Sequence, residues 1–162
     1  LALAIGAGEH DHLWMLALRK ILVPTDFTET SDKALDFAIE LAQKFNASIT
    51  VMHAYEIPII GFPDGSLVAT ADIASRIQEA GRTGLDAAVK ARNARGVTLE
   101  SLLREGNAAE EICTVAAELP ADMIVIGTHG RKGIARALLG SVAENVIRTV
   151  KTPVLTIHGP RD

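Results

Sequence analysis

The sequence predicts an α/β domain: a five-stranded parallel sheet with four helices packed on its two faces. Three observations carry this. Short apolar runs alternate with amphipathic helical patterns along the body of the chain. The runs are rich in β-branched residues and show no polar alternation, as expected of strands covered on both faces. The chain holds four Phe, one Tyr and one Trp, so its core must be built from Ala, Val, Ile and Leu.

The elements follow in order. Residues 1–14 (LALAIGAGEHDHLW) look foreign to the fold: the first Met is Met15, and the apolar opening has no basic region before it. That is a poor signal peptide. We expect 1–18 to be a tag or flexible extension and 19–162 to be the domain. His10, Asp11 and His12 read as part of a solvated tail in preference to a metal site, and Trp14 as a residue leaning on the domain surface. Lys20–Pro24 (KILVP) is a strand ended by Pro. Ser31 precedes a helix with Ala34, Ala38, Leu41, Ala42 and Phe45 on one face. Residues 48–54 form a second strand. Residues 56–65 hold Pro58, Gly61, Pro63 and Gly65 and read as an unusually apolar loop, suited to a lid, a pocket wall or a contact surface. A helical pattern runs over 66–95 through Leu67, Ala71, Ala74, Ile77, Leu85 and Ala88. Gly81 and Gly84 weaken its middle by about 1 kcal/mol each.

Residues 97–104 give a third strand and 108–119 a third helix, with Ala109, Ile112, Cys113 and Ala116 inward. Residues 122–126 give a fourth strand and 127–139 a glycine-rich basic loop. The fourth helix covers 141–150, with Ala143, Val146, Ile147 and Val150 on one face, and the fifth strand 152–158.

Length and composition limit the function. A chain of 162 residues supports one domain with a core that needs no metal or disulfide. Sixteen Lys and Arg against 20 Asp and Glu give a net charge of −4, which argues against nucleic acid as the main partner. A single Cys excludes a disulfide framework and a thiolate zinc site. No apolar run approaches the ~20 residues that span a bilayer.

Open parallel sheets bind ligands beyond the carboxyl ends of their strands, where strand order reverses. With strand order 3-2-1-4-5, that point lies between Pro24-Thr25-Asp26 and Gly127-Thr128-His129-Gly130. The second of these opens the segment from Gly127 to Ser141. Its glycines let backbone amides approach a ligand. Arg131, Lys132 and Arg136 supply cations. Gly140-Ser141 opens a helix whose free N–H groups favour an anion. Together they describe a phosphate cradle.

Gly127, Gly130, Gly140 and Ser141 match the G-xx-G-x9-G-[ST] pattern, and the chain resembles the nucleotide-binding branch of the universal stress protein family. KILVPTDFTETSDKAL, EGNAAEEI and ADMIVIGTHGRKG…LLGSVAENVIRTVKTPVLTI carry the likeness, which covers 19–157. The resemblance implies a flavodoxin-like, Rossmann-like three-layer sandwich, cytoplasmic residence, a homodimer through the last strand (Val154 to Ile157) and ATP as ligand, with ADP or AMP as alternatives. It implies that Pro24, Thr25 and Asp26 lie beside the adenosine and that Val51 touches the adenine. Gly127, His129, Gly130, Arg131, Gly140, Ser141 and Val142 would hold ribose and phosphates, with Gly106 and Asn107 near the ribose.

Each residue also has a structural reading. Ser141 and Glu144 have capping-box spacing, so Ser141 caps its helix, meets a phosphate, or does both in turn. Asp26 caps the turn after the first strand, or serves a ligand or Mg2+ together with nucleotide phosphates. Arg136 reads as a solvated surface charge. His129 has no nucleophile or carboxylate partner in sequence and is assigned to binding. His53 reads as structural and Cys113 as an inert buried thiol.

An ATP-consuming enzyme of related fold needs a glycine phosphate loop after the first strand, where this chain has Thr25-Asp26-Phe27, and there is no GxxxxGK[ST] loop. A phosphoacceptor receiver needs an Asp after the third strand, where Leu103-Arg104-Glu105-Gly106 stands. The sequence therefore points to an ATP-binding regulatory module without a catalytic site. The alternative is a universal stress protein that binds no nucleotide and acts as a dimeric interaction module with an unknown protein partner.

Overall fold

A computed structural model describes residues 18–58, 71–93, 96–128 and 140–158, with the backbone of 60–61 and 67–68. His10, Asp11, His12 and Trp14 lie outside the described residues. So do His129, Gly130, Arg131, Lys132 and Arg136.

The elements are β1 (Lys20–Pro24), α1 (Glu29–Phe45), β2 (Ser48–Tyr55), β3 (Ile60–Gly61), β4 (Leu67–Val68), α2 (Ala71–Lys90), β5 (Leu99–Glu105), α3 (Ala108–Glu118), β6 (Met123–Gly127), α4 (Ser141–Thr149) and β7 (Val154–Ile157). The main sheet runs β5-β2-β1-β6-β7 with every pairing parallel. In order of its own five strands this is 3-2-1-4-5. The fold is the predicted α/β sandwich.

Period-2 alternation sorts the core into two layers. Ile21 and Val23 of β1 face one side with Val51, Val125, Leu35 and Ile39 of α1, and Leu85 of α2. Leu22 faces the other side with Met52, Ile124 and Ile126, Ile112 and Val115 of α3, and Val146 of α4. Apolar runs without polar alternation are what a strand needs when both faces are covered. Leu18 also packs on the first layer.

Several expectations need correction. Residues 56–65 are not all loop: Ile60–Gly61 pairs antiparallel with Leu67–Val68. Leu67 therefore belongs to a strand, and α2 starts at Ala71. Helix α1 starts two residues before Ser31. Thr28 is its N-cap, and Ser31 closes a capping box from inside the helix. Phe45 is half exposed and Ile147 exposed, where an inward position was expected. Cys113 is only partly buried, and burial pushes its thiol up from the ordinary value.

Gly81 and Gly84 also acquire a reason. A Cβ at Gly84 would lie 2.7 Å from the Phe27 ring, and one at Gly81 would lie 2.9 Å from a Leu103 methyl and 3.2 Å from the His53 ring. The glycines let α2 settle onto these side chains. Their helix-propensity cost is tied to contact of α2 with β2 and β5 at Gly81 and with the turn after β1 at Gly84.

Candidate functional site

Strand β1 leads away to β2 and β6 leads away to β7, so the order reverses between β1 and β6. At the end of β1, Pro24 and Thr25 are buried. The Thr25 N–H donates to the Met52 carbonyl at 2.8 Å. Its Oγ1 lies 3.0 Å from Ser31 Oγ and accepts the Phe27 N–H at 3.0 Å. His53 Nδ1 sits 2.8 Å from the Thr25 carbonyl. This fixes His53 as a structural link between β2 and the turn. Phe27 takes φ 62°, unusual for a side chain of its size, and its ring lies 4.4 Å from the His53 ring.

Asp26 uses Oδ1 for the Thr28 N–H at 3.1 Å and the Thr28 hydroxyl at 2.6 Å. Its turn-capping reading is thus realised. Among the described residues, no group of three His, Cys, Asp or Glu is arranged to hold a metal.

Across the switch point, Gly127 ends β6 against the start of α1. A Cβ there would lie 3.1 Å from the Thr30 methyl and 3.2 Å from the Ser31 nitrogen. Thr128 follows, completely buried. Its carbonyl accepts the Gly140 N–H at 2.7 Å. Gly140 is the N-cap of α4, with φ −57° and ψ 146°, and has no side chain to cap the helix. The expected Ser141–Glu144 capping box does not form, because Ser141 is the first helical residue and not the N-cap. Glu144 instead meets Arg148 at 3.7 Å. Ser141 and Val142 are exposed at the helix head. The backbone donors of Ser141, Val142 and Ala143 precede the first intrahelical bond, Glu144 N–H to Gly140 O at 2.9 Å. The helix dipole adds positive potential there.

The structure therefore joins Thr25, Ser31, Gly127, Thr128 and Gly140 through direct contacts. Two predicted groups stand apart. Val51 is fully buried in the first core layer, opposite Val23, and shows no surface to the switch point. Gly106 and Asn107 follow β5, two strands from β1. Gly106 has φ 145° and donates its N–H to Tyr55 O at 2.8 Å. Asn107 caps α3 through Oδ1, which accepts the Ala109 and Glu110 N–H groups at 3.1 and 3.4 Å, and its amide donates to Glu56 at 3.1 Å.

Near the same end, Tyr55 reaches Glu105 at 3.4 Å. Burial, then the neighbouring Glu105 carboxylate, push its phenol up from the ordinary 10.0.

Sequence reasoning missed Phe27, Thr128 and His158. Thr128 Oγ1 lies 2.8 Å from His158 Nδ1 and 3.3 Å from the Ile157 carbonyl. Phe27 had a signal, since it directly follows the predicted Pro24-Thr25-Asp26 turn. Nothing local marks Thr128 as buried.

The profile of the universal stress protein family matches residues 17–158. The chain belongs to the universal stress protein family. A universal stress protein from Methanocaldococcus jannaschii, MJ0531, is 35% identical over 145 residues, 88% of this chain and 84% of that one. The solved structure of protein MJ0577 superposes with a TM-score of 0.76 at 24% identity, covering 90% of this chain and 99% of that one, and supports the fold. A universal stress protein solved in complex with cAMP has a TM-score of 0.67 at 30% identity, covering 89% of this chain and 99% of its own. In this universal stress protein, the uncapped head of α4 and the Thr25–Asp26 turn face the reversal point that the family fold creates. No described helix is long and apolar enough to cross a membrane.

Proposed function

We propose that this universal stress protein is an ATP-binding regulatory module that holds the nucleotide across the carboxyl ends of β1 and β6. One observation carries the reading: α4 begins at a glycine with no capping side chain, its leading N–H groups at the switch point. The phosphates would take the N–H groups of Ser141 and Val142 with the Ser141 hydroxyl. Gly127, His129, Gly130 and Arg131 would also hold ribose and phosphates, as the glycine pattern implies. The adenosine would lie along Pro24, Thr25 and Asp26. An adenine contact at Val51 requires neighbouring side chains to move aside, and a ribose contact at Asn107 requires it to share its amide with Glu56. Asp26 would serve a nucleotide-bound Mg2+ alongside its bonds to Thr28. The cAMP complex of a relative supports an adenine nucleotide as the ligand class. ATP is preferred to ADP or AMP because the cradle offers several donors and cations.

The module has no catalytic site in this reading. It is cytoplasmic, dimerises through β7 and acts on a protein partner, with no role for nucleic acid or membrane. A second reading, the dimeric interaction module without nucleotide, is favoured by the exposed Phe37 and Phe45 on α1 and by the half-buried β7. Calorimetric titration with ATP, ADP, AMP and adenosine separates the two. Affinity that rises with phosphate number supports the cradle. Equal affinity for adenosine and ATP would sink it, and no binding together with a stable dimer in sedimentation would establish the second reading.

A further inference from the structure

We propose that Thr128 and His158 form a positioning pair that fastens the anion-binding head of α4 to the end of β7. The proposal rests on the anion-cradle reading of α4 and goes beyond it by naming what holds the cradle in place.

Thr128 is a polar residue with no exposed surface. On one side its carbonyl holds the Gly140 N–H at 2.7 Å, and the contact is so close that a Cβ at Gly140 would lie 2.6 Å from the carbonyl oxygen. On the other side it is bonded to the end of β7. Its N–H donates to the Ile157 carbonyl at 3.0 Å, and its Oγ1 stands between that carbonyl and His158 Nδ1. A hydroxyl carries one proton and two lone pairs. The pair is satisfied when Nδ1–H donates to Oγ1 and the hydroxyl proton turns to Ile157 O. It is equally satisfied when the hydroxyl donates to Nδ1. Either way both halves of Thr128 are occupied, and a buried hydroxyl that lost its partners would be penalised.

The consequence is geometric. The N–H groups of Ser141, Val142 and Ala143 aim where Gly140 puts them, and Gly140 sits where the Thr128 carbonyl puts it. Thr128 in turn is held by a strand at the sheet edge, through the Ile157 carbonyl and His158. His158 is exposed and follows β7 directly, so a solvent-facing side chain steadies a buried post. Neither residue touches the ligand in this account; both act through Gly140.

The test compares Thr128→Val, Thr128→Ser and His158→Ala with the unaltered protein. ATP and adenosine affinities are measured by calorimetry, and Gly140 amide exchange by NMR on ligand-free protein. Thr128→Val is expected to weaken ATP about fivefold and speed Gly140 exchange, with adenosine unchanged. Thr128→Ser restores both values, and His158→Ala moves them in the direction of Thr128→Val. An unchanged ATP affinity in Thr128→Val, or parallel losses of ATP and adenosine, would overturn the pair. If the unaltered protein binds no nucleotide, the nucleotide reading fails and the exchange data alone decide. Faster Gly140 exchange in Thr128→Val or His158→Ala then upholds the tether, and unchanged exchange removes it. His158→Ala changes an exposed residue, so the test stands even if Thr128→Val does not fold.

Discussion

Replacing Gly140 by Ala tests the geometry of the switch point through one methyl group. The backbone there, φ −57° and ψ 146°, is open to any residue, so no torsional strain enters. The side chain alone decides. Its Cβ would lie 2.6 Å from the Thr128 carbonyl oxygen, against about 3.3 Å for an ordinary close C···O contact. Something must retreat by about 0.7 Å. The carbonyl cannot move easily, because Thr128 is buried and bonded to Ile157. The head of α4 must therefore move, stretching the Gly140–Thr128 bond. Overpacking costs about 1–3 kcal/mol and a lost hydrogen bond about 1 kcal/mol. The stiffer unfolded chain returns about 0.4–1 kcal/mol. We expect a net loss of about 1–3.5 kcal/mol, read as a fall in Tm of about 3–12 °C. Displaced donors should also weaken ATP by about tenfold or more, since charge-assisted bonds contribute about 1.5–3 kcal/mol each. Adenosine should change less. Circular dichroism melts and calorimetric titration report both quantities. A folded Gly140→Ala protein with Tm within about 1 °C of the original and unaltered ATP affinity would refute the reasoning.

Other outcomes follow from the same contacts. Gly84→Ala should destabilise by about 1 kcal/mol in urea melts despite its better helix propensity, because the new methyl meets a Phe27 ring already seated against His53. Adding Phe27→Leu should recover part of that loss, and no loss in the single variant would contradict the packing. Gly81→Ala should destabilise less than Gly84→Ala, because the nearest atom is a Leu103 methyl that can turn away, while the His53 ring at 3.2 Å, held by Thr25, must give by only a few tenths of an ångström; a loss as large as that of Gly84→Ala would contradict this. Asn107→Ala should cost about 1 kcal/mol by uncapping α3; an unchanged urea midpoint would contradict the cap. Tyr55 is the single tyrosine, so its ultraviolet titration is unambiguous. The midpoint should lie above 10.0, and Glu105→Gln should bring it only partly back, because burial, the first cause, remains in the variant. With the folded value raised, this group's stabilisation is complete below pH 10 and is lost as pH climbs through the folded value.

The main sheet was legible because β1, β2, β6 and β7 are apolar runs rich in β-branched residues, while β5 (LESLLRE), polar at four of seven positions and without a β-branched residue, was placed by its position between two helical patterns. Periodicity placed these strands to within two residues at either end. The β3–β4 pair was not legible: its strands are two residues each and sit among Pro58, Gly61, Pro63 and Gly65, which read as punctuation. Capping residues were legible by type but not by role. Ser31 and Ser141 both begin helical patterns, yet Thr28 caps α1 and Gly140 heads α4. At the site, the glycine spacing and the Pro24-Thr25-Asp26 turn were visible. The depth of Val51 was not, since a central strand residue and a pocket wall have the same composition. Thr128 and His158 were invisible because their pairing depends on the register of β6 with β7, which aligns Gly127 with Ile157. The helix cost of Gly81 and Gly84 was legible, and the side chains that require it were not.

The most direct test of the account is mass spectrometry of the supernatant released by acid from freshly purified protein, followed by titration of the emptied protein with ATP and Mg2+. The account predicts adenine nucleotide carried through purification or bound on titration, and lost in Gly140→Val. A protein that carries none and binds none would contradict it, leaving the head of α4 without its ligand and the dimeric interaction module as the function.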